Sequence, residues 1–156
     1  MNRFHTRRSV PFTPHQMFDL VANVEDYPKF LPWCERLHVK GRERRGQAEV
    51  LIADMTVAYN LVRETFTSRV TLEPDIPRVL VEYLEGPFRQ LENRWLFPER
   101  ADGCDIDFYI AYEFRSMMLQ MLIGAMFDHA VRKFAEAFET RAYTVYGRPS
   151  TAVTGA

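Results

Sequence analysis

The chain has 156 residues, with 47% hydrophobic and 26% charged residues and a formal net charge of −1. These values fit one globular domain with one core, and the absence of a basic excess argues against a dedicated nucleic-acid binder. No stretch resembles a signal peptide or a membrane-spanning helix, so a cytoplasmic protein is predicted. The only two cysteines, Cys34 and Cys104, lie outside any zinc-ligand spacing, which predicts no disulfide, no metal and no cofactor.

The sequence before residue 33 predicts one strand followed by two short helices. Residues 3–10 alternate in the manner of a polar strand near a sheet edge. Thr13 can cap a helix that has Pro14 at its first position, and Gln16 completes a capping box. A second helix over residues 27–30 should end before Pro32, because a residue that precedes proline avoids the helical region.

Residues 33–115 predict antiparallel strands separated by turns that contain Gly, Pro or Asp. The last strand is the clearest, with one apolar face and one face predicted to be exposed to solvent. The apolar face consists of Cys104, Ile106, Phe108, Ile110, Tyr112 and Phe114, and the polar face of Asp105, Asp107, Tyr109, Ala111, Glu113 and Arg115.

A long helix is predicted from Ser116 to about Tyr143, and residues 147–156 read as a flexible tail. The predicted fold is therefore α+β, with a curved antiparallel sheet of about seven strands around a long C-terminal helix. Two short helices follow the first strand. A single domain over residues 1–146 is expected, because the long helix can bury its apolar stripe only on the apolar face of the sheet.

Two segments are more apolar than a loop or an amphipathic helix requires. One is DYPKFLPWC at residues 26–34, and the other is residues 117–127, where only Gln120 interrupts the apolar side chains. The apolar character of both segments would be explained if the core surrounds them on all sides or if they form a dimer interface. Alternatively, both border one end of the sandwich and line a gap that binds an apolar small molecule. The ligand-facing candidates in the helix are Met118, Met121, Leu122 and Met126.

Signatures of catalysis are missing, since the sequence has no HExxH, GxSxG, Walker or GxGxxG pattern. A non-enzymatic protein is therefore predicted. A basic patch of Arg42, Arg44 and Arg45 has two explanations that the sequence leaves open. It is either a set of solvated strand ends or a surface for phosphates of lipid headgroups or RNA.

Three segments together resemble the coenzyme Q-binding START-like proteins of the polyketide cyclase/dehydrase superfamily, whose bacterial relatives include a ribosome association toxin. They are DYPKFLPWC, GPFRQLENRWLF at residues 86–97, and the strand at 105–114 that runs into an apolar helix. The resemblance implies a helix-grip fold with a hydrophobic tunnel. It also implies a ligand site made of Tyr27, Pro28, Phe30, Leu31, Pro32, Trp33, Trp95 and Phe97.

The resemblance further implies a non-enzymatic binding protein or chaperone for ubiquinone or a similar polyisoprenoid lipid, supporting respiration or quinone biosynthesis. Peripheral contact with the inner membrane is part of this expectation. The first alternative is a toxin-like protein that blocks ribosomal subunit association by binding RNA through the basic patch. The second is an aromatase or cyclase, because one fold supports several functions.

Overall fold

The structure is a computed structural model, and it describes residues 1–147. The predicted tail therefore lies, except for Gly147, outside the described residues. The strands are β1 Asn2–Val10, β2 Cys34–Arg45, β3 Ala48–Tyr59, β4 Val62–Glu73, β5 Arg78–Glu85, β6 Phe88–Leu96, β7 Glu99–Arg100 and β8 Gly103–Phe114. The helices are α1 Pro14–Ala22, a 3₁₀ helix Val24–Lys29, α2 Met117–Val131 and α3 Phe134–Tyr146.

The strands form one antiparallel sheet in the order β1-β8-β6-β5-β4-β3-β2, and the two-residue β7 pairs with β8. The predicted α+β helix-grip architecture is confirmed, because this curved sheet encloses the C-terminal helices. The edge position of the first strand is also confirmed, since β1 ends the strand order and pairs with β8.

The helices differ from the prediction in two details. Thr13 and Gln16 form the predicted capping box, but the second helix is a 3₁₀ helix that begins at Val24 and includes Pro28. A turn at Arg132 and Lys133 divides the predicted long helix into α2 and α3. Both halves pack on β8, and α3 also packs on α1 and β1, so the turn lets the helical segment follow the sheet.

The inner face of β8 forms the centre of the core. Its predicted apolar residues are all buried, and Phe108 and Tyr112 pack against Phe134 and Phe127 with ring centroids 6.2 and 4.9 Å apart. The outer face is less exposed than predicted, because β8 lies between β1 and β6. Asp105 on that face is buried and accepts a hydrogen bond from Ser9 at 2.9 Å.

The strand registers define two ends of the sheet. At the α2 end, β8 finishes beside the beginnings of β1 and β6, and the β3–β4 hairpin turns between Tyr59 and Val62. At the opposite end, the β2–β3 hairpin turns between Arg45 and Ala48, and β8 begins at Gly103. The DYPKFLPWC loop finishes at the α2 end, where Cys34 is paired with Val57.

Candidate ligand cavity

A cavity of about 70 Å³ lies between the inner face of the sheet and the two C-terminal helices. Strands β2 to β6 and β8 supply most of its wall, and the 3₁₀ helix, the loop after it, α2 and α3 close it. Its apolar lining residues are Val24, Leu31, Leu37, Ala53, Met55, Val57, Phe66, Val70, Val81, Leu91, Trp95, Ile110, Phe127, Phe134 and Phe138.

Three polar side chains complete the lining, and none of them is charged. The Tyr27 hydroxyl donates a hydrogen bond to the carbonyl of Val21, and burial raises the pKa of Tyr27 far above its ordinary value. The Asn93 amide donates to the carbonyl of Tyr109 at 2.9 Å and accepts from the indole nitrogen of Trp95 at 2.8 Å. The third group is the hydroxyl of Ser68. The cavity is therefore neutral as well as apolar.

The DYPKFLPWC loop divides between the cavity and the surface. Tyr27 and Leu31 are buried and line the cavity. Phe30 is partly buried against α3, with its ring 4.9 Å from that of Phe138, and Pro32 lies beside it in a surface groove. Pro28 is exposed within the 3₁₀ helix. Only two of the loop residues thus reach the enclosed space.

Trp33 lies at the surface, where it connects its own loop to the β3–β4 hairpin and to α2. It adopts a left-handed backbone conformation with φ of 60°. Its ring lies 5.5 Å from Tyr59 in the β3–β4 hairpin and 5.7 Å from His129 on α2. The half-buried indole therefore contacts both the hairpin and the helix beside the cavity.

The two aromatic residues predicted on β6 and after it occupy different environments. Trp95 is buried in the cavity wall, with its ring 4.6 Å from Phe108 and 4.9 Å from Phe138. Phe97 is equally buried but lies by a surface depression near Pro77 and Pro98 at the opposite end of the sheet.

The predicted residues of α2 do not line the enclosed cavity. Met118, Met121 and Leu122 are 69%, 81% and 61% exposed, and Met126 is half-buried. The inward positions of the helical segment are Phe127, Phe134 and Phe138, which the sequence analysis did not select. Their spacing of seven and four residues is the helical periodicity that could have identified them.

Large exposed hydrophobic side chains concentrate at the α2 end of the sheet. They come from the beginning of β1, the two hairpins that turn there, and the first two turns of α2. We call this set the apolar end. Its members are Met1, Tyr59, Leu61, Leu84, Met117, Met118, Met121 and Leu122.

The basic patch lies at the opposite end of the sheet and is partly neutralised. Arg42 contacts Glu25 at 2.7 Å and Glu49 at 3.6 Å, and Arg45 contacts Glu43 at 2.6 Å. Arg44 is exposed, and no ion pair to it is found within residues 1–147. The patch therefore carries less free positive charge than its three arginines suggest.

Residues 1–147 contain no group of three or more His, Cys, Asp or Glu side chains placed to hold a metal ion. Over the same residues, no helix combines the length and the apolar character needed to span a bilayer. Cys34 and Cys104 are both free and buried.

Comparison with known proteins gives one family and several relatives. The model of the family described as polyketide cyclase/dehydrase and lipid transport matches residues 10–139. The chain is 30% identical to the ribosome association toxin RatA of Rickettsia prowazekii over 93% of this chain and 99% of the toxin. It is 33% identical to the mitochondrial coenzyme Q-binding protein COQ10 homolog B of Xenopus laevis, over 88% of this chain but only 56% of that longer protein.

Two solved structures are similar in fold. An 18 kDa protein of Caulobacter crescentus superposes with a TM-score of 0.77 at 33% identity, covering 95% of this chain and all of that one. The Zhui aromatase/cyclase of a Streptomyces species superposes with a TM-score of 0.72 at 16% identity, covering 90% of this chain and 93% of the enzyme. At that low identity, the second similarity concerns the fold alone.

Proposed function

This chain belongs to the polyketide cyclase/dehydrase and lipid transport family, and on that basis we propose that it is a non-enzymatic binding protein for a polyisoprenoid quinone such as ubiquinone, or for a lipid of similar shape. The observation that carries the proposal is the neutral, apolar cavity enclosed by the sheet and the C-terminal helices. The name of the Xenopus relative supports coenzyme Q as the ligand. A role in respiration or quinone biosynthesis follows from such a ligand.

The cavity must expand to accept this ligand. Its volume of about 70 Å³ is small beside the roughly 300–1,000 Å³ typical of small-molecule sites. We propose that α2 moves away from the sheet, because it is followed by the turn at Arg132 and Lys133 and presents an exposed apolar stripe. Burial of the ligand's apolar surface, at about 25 cal/mol per Å², then drives binding.

Catalysis as an aromatase or cyclase has less support from the cavity itself. Such chemistry needs a group that donates or accepts a proton near neutral pH. Within residues 1–147, no Asp, Glu, His, Lys or Cys side chain lines the cavity, and the Tyr27 hydroxyl has a strongly raised pKa. We therefore assign binding rather than turnover to this site.

Ribosome association is the second candidate function, and the length of the match to the Rickettsia toxin favours it. RNA binding would use the basic patch, whose Arg42 and Arg45 are already paired with glutamates. Binding to RNA should weaken steeply with salt, whereas burial of an apolar ligand should not. Cosedimentation with ribosomal subunits at two salt concentrations, for the wild type and for Arg42→Ala/Arg44→Ala/Arg45→Ala, tests this candidate.

We further propose that the apolar end contacts the surface of a membrane while the ligand enters or leaves. Apart from Met1, its side chains come from elements that border the cavity, so a bilayer at this end would meet the moving α2 directly. Leu122→Lys should reduce sedimentation with vesicles of zwitterionic phosphatidylcholine, because it adds a charge to the apolar stripe and these vesicles offer no negative surface to attract it. The matched control is Ile76→Lys, which adds the same charge at an exposed site on the opposite end of the sheet. It should not reduce sedimentation with the vesicles. Equal losses in both variants would refute this orientation.

The decisive test of the proposed function is mass spectrometry of organic extracts from the purified protein. A stoichiometric polyisoprenoid quinone is the expected result. If no quinone copurifies, and none of several added quinones raises the melting temperature, the proposal is wrong. Ribosome association would then become the first hypothesis.

A further inference from the structure

One buried hydroxyl in the cavity has no hydrogen-bond partner. Ser68 is 5% exposed, and its Oγ is the one buried side-chain nitrogen or oxygen without a partner among residues 1–147. It lies on the inner face of β4 between Phe66 and Val70, and its neighbours across the sheet are Ala53 on β3 and Tyr83 on β5. The hydroxyl is therefore part of the cavity wall.

The other buried polar side chains have partners. Thr56 bonds with Thr65 at 2.8 Å, Thr67 donates to Asp54, and Asp105 accepts from Ser9. Asn93, which also lines the cavity, is held by Tyr109 and Trp95. An unpaired hydroxyl in an apolar interior is unfavourable, since it loses its bonds to water and gains none. Alanine in its place would avoid that cost, so the empty cavity gives no reason for a serine here.

We propose that Ser68 supplies the hydrogen bond that orients the ligand, and that the ligand carries an uncharged carbonyl or hydroxyl oxygen on an otherwise apolar body. The inference rests on the proposed function and makes its ligand more specific. A hydroxyl both donates and accepts, so it can bond to a quinone carbonyl and to the hydroxyl of the reduced form.

Charged headgroups are excluded from the same position. A carboxylate or phosphate beside Ser68 would be buried without a counter-ion, because no Lys, Arg or His side chain in the described part of the chain lines the cavity. Fatty-acid anions and phospholipid headgroups therefore do not fit this site, whereas neutral oxygenated isoprenoids do.

The test compares two ligands that differ in their oxygens, a benzoquinone with a decyl tail and decylbenzene. The apparent Kd of each follows from the rise in melting temperature with ligand concentration. Ser68→Ala should raise the apparent Kd of the quinone by about three- to tenfold and change the apparent Kd of decylbenzene by less than about twofold. Ser68→Thr keeps the hydroxyl and should keep the preference for the quinone over decylbenzene. Without ligand, Ser68→Ala should melt at the same temperature as the wild type or higher.

The outcomes separate the inference from the proposed function. If neither ligand binds the wild type, the proposed function fails and the inference fails with it. If both bind but Ser68→Ala changes neither affinity, or changes both equally, the inference is wrong and quinone binding stands. The inference would also be wrong if Ser68→Thr lost the preference for the quinone over decylbenzene, because threonine keeps the hydroxyl that is proposed to cause this preference.

Discussion

Filling the cavity tests its existence without any ligand. Ala53 is 4% exposed on the inner face of β3 and faces the cavity of about 70 Å³. Ala53→Val adds two carbon atoms to that space. At about 0.8 kcal/mol for each buried carbon, the free energy of unfolding should rise by up to about 1.6 kcal/mol. For a chain of this size, the melting temperature should then rise by roughly 3–6 °C.

The matched control is Ala58→Val, which makes the same change on the same strand but on its outer face. Valine favours strands more than alanine does, and both variants share that contribution. The difference between them in urea denaturation therefore measures the filling of the cavity alone. If Ala53→Val is no more stable than Ala58→Val, the cavity is not available to a side chain and the reasoning fails. Where the cavity is real, Ala53→Val should also weaken quinone binding.

Three further predictions concern the rest of the fold. Burial raises the pKa of Cys34 to about 12 and that of Cys104 to about 11. Neither thiol should therefore react with a maleimide at pH 8 until the protein is denatured. Rapid labelling of the native protein would contradict this prediction. Burial alone would raise the pKa of Asp107, but hydrogen bonds from Arg7 and His5 hold it below its ordinary value of 3.8. The ionised Asp107 therefore stabilises the fold fully above pH 3.8, and this stabilisation is lost as the pH falls through the lower pKa of the folded state. Asp107→Asn should accordingly flatten the acid limb of a plot of stability against pH. An unchanged acid limb would refute the assignment. Gly103 has φ of 155°, and a Cβ there would overlap the carbonyl oxygen of Val10, so Gly103→Ala should lower the free energy of unfolding by more than about 2 kcal/mol in urea titration.

Local patterns in the sequence predicted much of the fold. The capping box at Thr13 and the apolar face of 104–114 depend on neighbours within a few residues, and both appear as expected. The positions of Asp105 and of the turn at Arg132 and Lys133 depend on elements distant in the chain. Spacing alone could not predict that β1 covers Asp105 or that α3 packs on α1 and β1 in addition to β8.

The candidate site was predicted less completely, because a run of apolar residues does not say which side faces inward. Residues 117–127 contain four methionines, yet Met118 and Met121 lie on the surface and Phe127 lines the cavity. Ser68 looked ordinary in the sequence, since serine occurs often on strands facing water. Only the placement of β4 inside the curved sheet shows that its hydroxyl is unpaired.

The pairing of β1 with β8 affects how the chain reaches its native state. Arg7 bonds to Asp107, which lies 100 residues later. At roughly 5–20 residues per second, the ribosome needs about 5–20 s to synthesise that interval, and β1 has no partner during this time. The charged side chains of β1 disfavour aggregation in the interval, as they do on exposed edge strands generally. Closure of the sheet is therefore expected to be a late, slow step that follows synthesis of β8.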